Sequence, residues 1–221
     1  GRLAETADQG YSHALEGMLY GGVIRNQWYA MGRLGVGTYR QNMQRGLQLG
    51  SQFAAVGSQS LGRYGVAYGE SGYHARLGAW SLTPYMDLQY ARVQRNGFDE
   101  TGAEGFGLMA GSQTVERWQA GLGLRAGREW RFGDGESLRL QERFLWQRAL
   151  AVRGESFDAS FTGLEQWAPL GGIGLSRYGG MLGTSLEWRF SPRSQLAMSY
   201  DRYMEQHVQA QTAMLSYQLA F

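Results

Sequence analysis

The chain of 221 residues has no cysteine and only three prolines. All 21 of its basic residues are arginine, because the sequence contains no lysine. Without cysteine there is no disulfide scaffold, no zinc ribbon and no cysteine nucleophile. The 19 acidic residues leave a net charge of +2, too small a surplus to mark a nucleic-acid partner. No uninterrupted apolar run approaches the ~18 residues of a transmembrane helix. Residues 1–10 are polar and lack the apolar stretch of a signal peptide, so they read as a lead-in. What is abundant is glycine, with 34 residues, and aromatic side chains at 13%. No G-X-Y period accompanies the glycine, which excludes collagen. Low charge, many aromatics and a mean hydropathy of −0.40 fit a membrane β-barrel, whose polar lumen offsets its apolar belt.

A barrel strand shows alternate side chains to lipid and to the lumen, so the test is a period of two. Residues 115–130 pass it. Trp118, Ala120, Leu122, Leu124, Ala126 and Trp130 share one parity with Glu116 and Arg128 at its ends; Arg117, Gln119, Gly121, Gly123, Arg125, Gly127 and Glu129 share the other. A helical period of 3.6 would scramble both sets. Residues 81–93, 178–190, 194–201, 212–221 and 28–39 divide in the same way, and 11–24 does so more weakly with Leu15, Leu19 and Val23 outward. Two segments fit less well. In 137–150 the outward set includes Glu142, and in 61–77 tyrosines fall on both parities, leaving its faces unassigned. A bulge that switches parity would explain either. Nine strands are read in all.

The links alternate in length. Short ones fall at 25–27, 78–80, 131–136 and 191–193; long ones at 41–60, 95–114 and 152–177, with a moderate one at 203–208. Outer-membrane barrels have short periplasmic turns and longer external loops, which places the long links outside the cell and the C-terminus in the periplasm. Trp28, Trp80, Trp130 and Trp188 all stand beside short links, where an aromatic girdle would sit. The first strand then starts outside and the last ends inside, which an even-numbered closed barrel does not allow. Either the count of nine is off by an odd number, or an odd number of strands is expected ahead of Gly1.

Candidate chemistry is sparse. His13, His74 and His207 form no Ser/His/Asp order and no HExxH spacing, and no metal or cofactor is expected. His13 and His207 would both reach the outer rim, the one arrangement under which a barrel enzyme is conceivable. The glycines at 121, 123, 127 and 171–174 do not lie between a parallel strand and a helix, so they carry no phosphate-loop meaning; Gly121, Gly123 and Gly127 read as relief of crowding on the lumen face. Arg33, Asp87, Arg117, Arg125, Glu129, Glu187, Arg189 and Asp201 fall on polar faces. An arginine turned to lipid at mid-depth would cost ~2–4 kcal/mol, so these are assigned to a hydrated pore wall.

From about Tyr11 to Phe221 the sequence resembles the C-terminal translocator β-barrel domain of classical (type Va) autotransporters. The resemblance rests on YSHALEGMLYGG followed by WYAMGRLGVGTY, on YGESGYHA and SLTPYMDLQYARVQRNGFDETGA, and on VERWQAGLGLRAG and the terminal AMLSYQLAF. It implies an all-β, antiparallel outer-membrane barrel of twelve strands over 11–221, with the first three strands and the pore helix lying upstream. It also implies a Gram-negative type V secretion role without catalysis: export and surface anchoring of an N-terminal passenger joined by a linker helix. Tyr217, Leu219 and Phe221 resemble the C-terminal signal read by the barrel assembly machinery. The other implied partner is outer-membrane lipid, and the barrel would be a monomer. A small-solute porin is the alternative that the same alternation would serve.

Overall fold

The computed structural model describes residues 9–49, 52–102, 105–133, 135–164, 166–172, 174–206 and 208–219. Its elements are strands: β1 (Gln9–Arg25), β2 (Trp28–Leu49), β3 (Gln52–Tyr73), β4 (Ala75–Leu77), β5 (Trp80–Arg95), β6 (Phe98–Asp99), β7 (Leu108–Ala110), β8 (Gln113–Arg131), β9 (Ser137–Arg153), β10 (Ser156–Phe161), β11 (Ala168–Gly171), β12 (Tyr178–Ser191), β13 (Ser194–Glu205) and β14 (Gln209–Leu219). The large sheet is an antiparallel meander in the order β1-β2-β3-β5-β8-β9-β12-β13-β14. These nine strands are the nine read from alternation. Among the described residues β1 pairs only with β2 and β14 only with β13.

The sheet is strongly curled. Arg117 on β8 lies 3.2 Å from Glu205 on β13, although β9 and β12 run between them. Three strand spacings of ~4.8 Å would hold them ~14 Å apart in a flat sheet. The register puts Glu205 in the row of Gly121, four residues from Arg117, which adds ~13 Å along the strand; a trough with both side chains on its concave side closes that gap. The structure is thus a curled half-barrel, all-β and antiparallel. Its apolar side chains point outward rather than into a core. Trp118, Leu122 and Leu124, which a soluble sandwich would bury, are 42%, 55% and 42% exposed on the convex face.

Short turns follow from local backbone chemistry. Arg25 pairs with Trp28 across a two-residue turn whose Asn26 has φ 56°, and Leu77 pairs with Trp80 across a turn whose Gly78 has φ 61°. Asn and Gly tolerate that left-handed region, and such turns match the twist of paired strands.

The long links differ from the sequence expectation. Within 41–60, residues 41–49 and 52–60 are strand, because β2 and β3 stay paired out to Leu49 and Gln52. Their alternation of small and polar residues sustains a ladder well past the ~25 Å that an apolar belt requires. The 203–208 link is likewise a tight end, with β13 running to Glu205 and its N–H bonded to the carbonyl of Val208 at 2.7 Å. The other two long links build a second sheet in the order β11-β10-β7-β6. A bridge from Gly57 to Thr101 and a 2.6 Å ion pair from Arg45 to Glu100 tie it to the β2–β3 hairpin. Short strands separated by glycine have too few alternations to be read from sequence.

The two ambiguous segments resolve differently. β3 and β4 keep one register against β5, Gly72 opposite Tyr85 and Ala75 opposite Leu82, so no parity switch occurs there. Tyr64, Tyr68, Glu70 and His74 take the concave parity, and Tyr73 takes the convex one. In β9 the register against β8 shifts between Trp118 and Gln119, placing a bulge at Leu150. That bulge lies beyond Glu142, which remains on the convex face and accepts a 2.7 Å hydrogen bond from Thr184.

Candidate functional site

The concave face is where ionisable side chains meet. Glu70 on β3 sits at the centre, its side chain 1% exposed. Arg125 on β8 grips it with two parallel bonds, Nη1 to Oε1 at 2.9 Å and Nη2 to Oε2 at 2.8 Å. Tyr29 and Tyr68 donate hydroxyl hydrogen bonds to the same carboxylate at 2.6 and 2.5 Å. The Arg125 guanidinium also donates to the Tyr29 hydroxyl at 2.8 Å and lies 3.9 Å over the Tyr85 ring. Every carboxylate oxygen is thus answered by a charge-assisted or hydroxyl donor, the condition under which a buried charge is tolerated.

Glycines on neighbouring strands make room for these groups. A Cβ on Gly123 would fall 2.2 Å from the Tyr85 ring, and one on Gly121 would fall 2.3 Å from Oδ2 of Asp87. A side chain at either position would lift the polar group off the sheet, so the glycines function as seats. Asp87 itself accepts from the Gln89 amide at 3.1 Å.

Two further pairs lie along the same face. Arg117 donates to the carbonyl of Ser176 at 3.0 Å and to Glu205 at 3.2 Å, and Tyr203 also donates to Glu205. Arg143 donates to Asp201 at 2.9 Å. Lower on the trough, Glu129, Arg139 and Glu187 stand opposite one another on β8, β9 and β12, and Arg189 is 3.9 Å from Glu187. Arg33 lies 5.2 Å over the Tyr68 ring.

All eight acidic and basic residues singled out by alternation therefore occupy the concave face. Arg125, Arg117 and Asp201 each meet a partner that alternation did not single out: Glu70, Glu205 and Arg143. Glu70 was hidden because its segment had no assignable faces. A shared even parity of Tyr64, Tyr68 and Glu70 was the available signal.

The convex face carries two aromatic rows. Beside the short turns, Trp28 packs edge-on against Tyr73 at 5.0 Å, the Arg128 guanidinium lies over Trp80 at 5.6 Å and Trp130 at 5.0 Å, and Trp188 meets Phe190 at 5.6 Å. Phe190 in turn stacks on Tyr217 at 6.2 Å. Toward the opposite end, Tyr90 meets Trp118 at 4.7 Å and Trp146 meets Tyr178 at 6.5 Å. Tyr217 and Leu219 share the convex parity of β14, whereas Phe221 lies outside the described residues.

The histidines are not brought together. His13 pairs with Arg40 in register on the convex side, and His74 is 3.0 Å from the Thr83 hydroxyl and stacked on Tyr29 on the concave side. His207 and Ile173 of the 171–174 run lie outside the described residues. Among the described residues no group of three or more His, Asp or Glu is placed to hold a metal ion. Nor, among the described residues, is any helix long and apolar enough to cross a membrane.

The family comparison decides the identity. The sequence profile of the family described as Autotransporter beta-domain matches residues 2–201. The chain belongs to that family. An autotransporter β-domain is the outer-membrane translocator of type V secretion, and it carries an N-terminal passenger. Nine solved chains are similar in structure, among them the "Translocator domain of autotransporter NalP from Neisseria meningitidis". That match has a TM-score of 0.61 and 16% identity over 96% of this chain and 68% of the other, a likeness of fold. Among curated protein sequences none matches.

Proposed function

We propose that the concave face is the wall of a conduit through which the passenger crosses the outer membrane, and that its charges are paired within the wall so as not to hold the passing chain. The observation that carries this is the closure of the Glu70–Arg125–Tyr29–Tyr68 cluster. A guanidinium already bound by two carboxylate oxygens offers few free donors to a carboxylate of the passenger. A hydrated lining of such pairs presents polarity without a strong binding site. The passenger crosses as a hairpin and folds outside, with no ATP bound by this domain.

In this reading Trp28, Trp80, Trp130 and Trp188 are the girdle at the periplasmic interface, and the β2–β3 hairpin and the second sheet lie outside the cell. The C-terminus is periplasmic. The barrel assembly machinery reads Tyr217, Leu219 and Phe221 by strand addition, alternate side chains entering pockets along the added edge. Outer-membrane lipid surrounds a monomeric barrel, and no catalytic group is required.

The test uses the full autotransporter with an epitope in its passenger. Replacing Glu70 by Ala leaves Arg125 unpaired in the wall, and surface arrival of the epitope, measured by protease accessibility on intact cells, should slow severalfold. Heat-modifiability on gels reports folded barrel in parallel. Unchanged arrival in cells containing fully folded E70A barrel would refute the conduit-wall reading.

A further inference from the structure

The convex face has a cationic rim that the translocation reading does not use. Arg40 on β2, Arg63 on β3 and Arg92 on β5 all take the convex parity, and His13 on β1 stands opposite Arg40. Arg92 has an acidic neighbour, Glu116 at 3.4 Å. Among the described residues no ion pair engages Arg40 or Arg63, and Arg63 makes a single 2.8 Å bond to Gln94. Two adjoining grooves of about 800 and 620 Å³ run beneath them, sharing Leu15, Thr38, Arg63 and Gln94. Leu15, Val36 and Leu61 form the apolar floor.

The depth of this rim matches a membrane surface. Arg40 lies twelve residues along β2 from Trp28. At ~3.3 Å per residue and a tilt near ~40°, that is ~30 Å of height, just beyond an apolar belt of ~25 Å. The cations therefore sit at headgroup level, with the apolar groove descending into the hydrocarbon. Solvated arginines at an interface are common, but among the described residues these two have no counter-charge, and they border an open apolar groove. Guanidinium groups bind phosphate oxygens in bidentate fashion.

We propose that this groove binds a lipid with a phosphorylated headgroup: Arg40 and Arg63 hold the phosphate, His13 and Arg92 flank it, and an acyl chain lies along Leu15 and Val36. The proposal rests on the convex face meeting lipid, not on the conduit-wall reading, so either can fail alone.

The full autotransporter in zwitterionic detergent is titrated with dihexanoyl phosphatidic acid, dihexanoyl phosphatidylcholine and inorganic phosphate, and bound ligand is counted by native mass spectrometry. Phosphatidic acid should bind tighter than both of the others. R40Q and R63Q should each weaken it about fivefold (~1 kcal/mol per arginine), and R193Q, in a turn at the other end, should not. Heat-modifiability confirms that each single variant is folded. Equal binding of phosphatidylcholine or inorganic phosphate, or undiminished phosphatidic acid binding by folded R40Q and R63Q, would overturn it.

Discussion

Arg117 on β8 and Glu205 on β13 meet at 3.2 Å across two intervening strands. Both side chains are largely buried, so each neutralises a charge that would otherwise stand alone in the trough. Replacing Arg117 by Leu strands Glu205, and breaking such a pair costs ~3–5 kcal/mol. Urea unfolding of the R117L barrel in lipid vesicles should show that loss, and the double replacement R117L/E205L should recover much of it. Equal stability of R117L and the unsubstituted chain would contradict the pairing.

Tyr85 lies over Gly123 so closely that a methyl group there would come within 2.2 Å of its ring. G123A should therefore destabilise the barrel by ~1–3 kcal/mol, the usual range for overpacking. Gly21, with nothing within 4 Å of its virtual Cβ, supplies the control. G21A should unfold at the same urea concentration as the unsubstituted chain.

Where the second sheet meets the β2–β3 hairpin, Arg45 donates to Glu100 at 2.8 and 2.6 Å and the Leu108 N–H donates at 2.8 Å. Burial pushes the Glu100 carboxyl upward, but these donors outweigh it and hold the group below the ordinary carboxylate range. A depressed folded-state pKa contributes stability above the unfolded value of ~4.3, lost as pH falls through the lower folded value. Amide exchange of β6 and β7 should accelerate below about pH 4, and E100Q should remove that dependence.

Glu142 stands on the convex face midway between Leu138 and Trp146 on β9, bonded to Thr184. Acidic residues at mid-depth cost less than the ~2–4 kcal/mol of arginine, yet they do cost. E142L should raise the urea midpoint in vesicles and leave the midpoint in detergent nearly unchanged. A fall in vesicles would mean that Glu142 has a stabilising role there.

Much of this architecture was legible in the residue order, for a stated reason. A two-residue period assigns faces wherever lipid and water lie on opposite sides, so Trp118, Leu122 and Leu124 declared themselves outward and Arg117 and Arg125 inward. The order of motifs named the family, and Trp beside each short link marked one end. The period failed where both faces tolerate the same residue types. In 61–77 the outward positions mix Leu61, Leu77 and small residues with Arg63 and Tyr73, and the inward ones include three aromatic rings, so polarity no longer separates the sides.

What the chain order determined by itself was strand number, facing and membrane class, because these depend only on neighbours along one strand and on the medium each side meets. Curvature, partners and depth belonged to the tertiary structure. Whether Arg125 finds Glu70 depends on how far the sheet bends and how strands are staggered, and neither leaves a local trace. The second sheet was equally invisible, since strands of two to six residues acquire their conformation from the partners that pair with them.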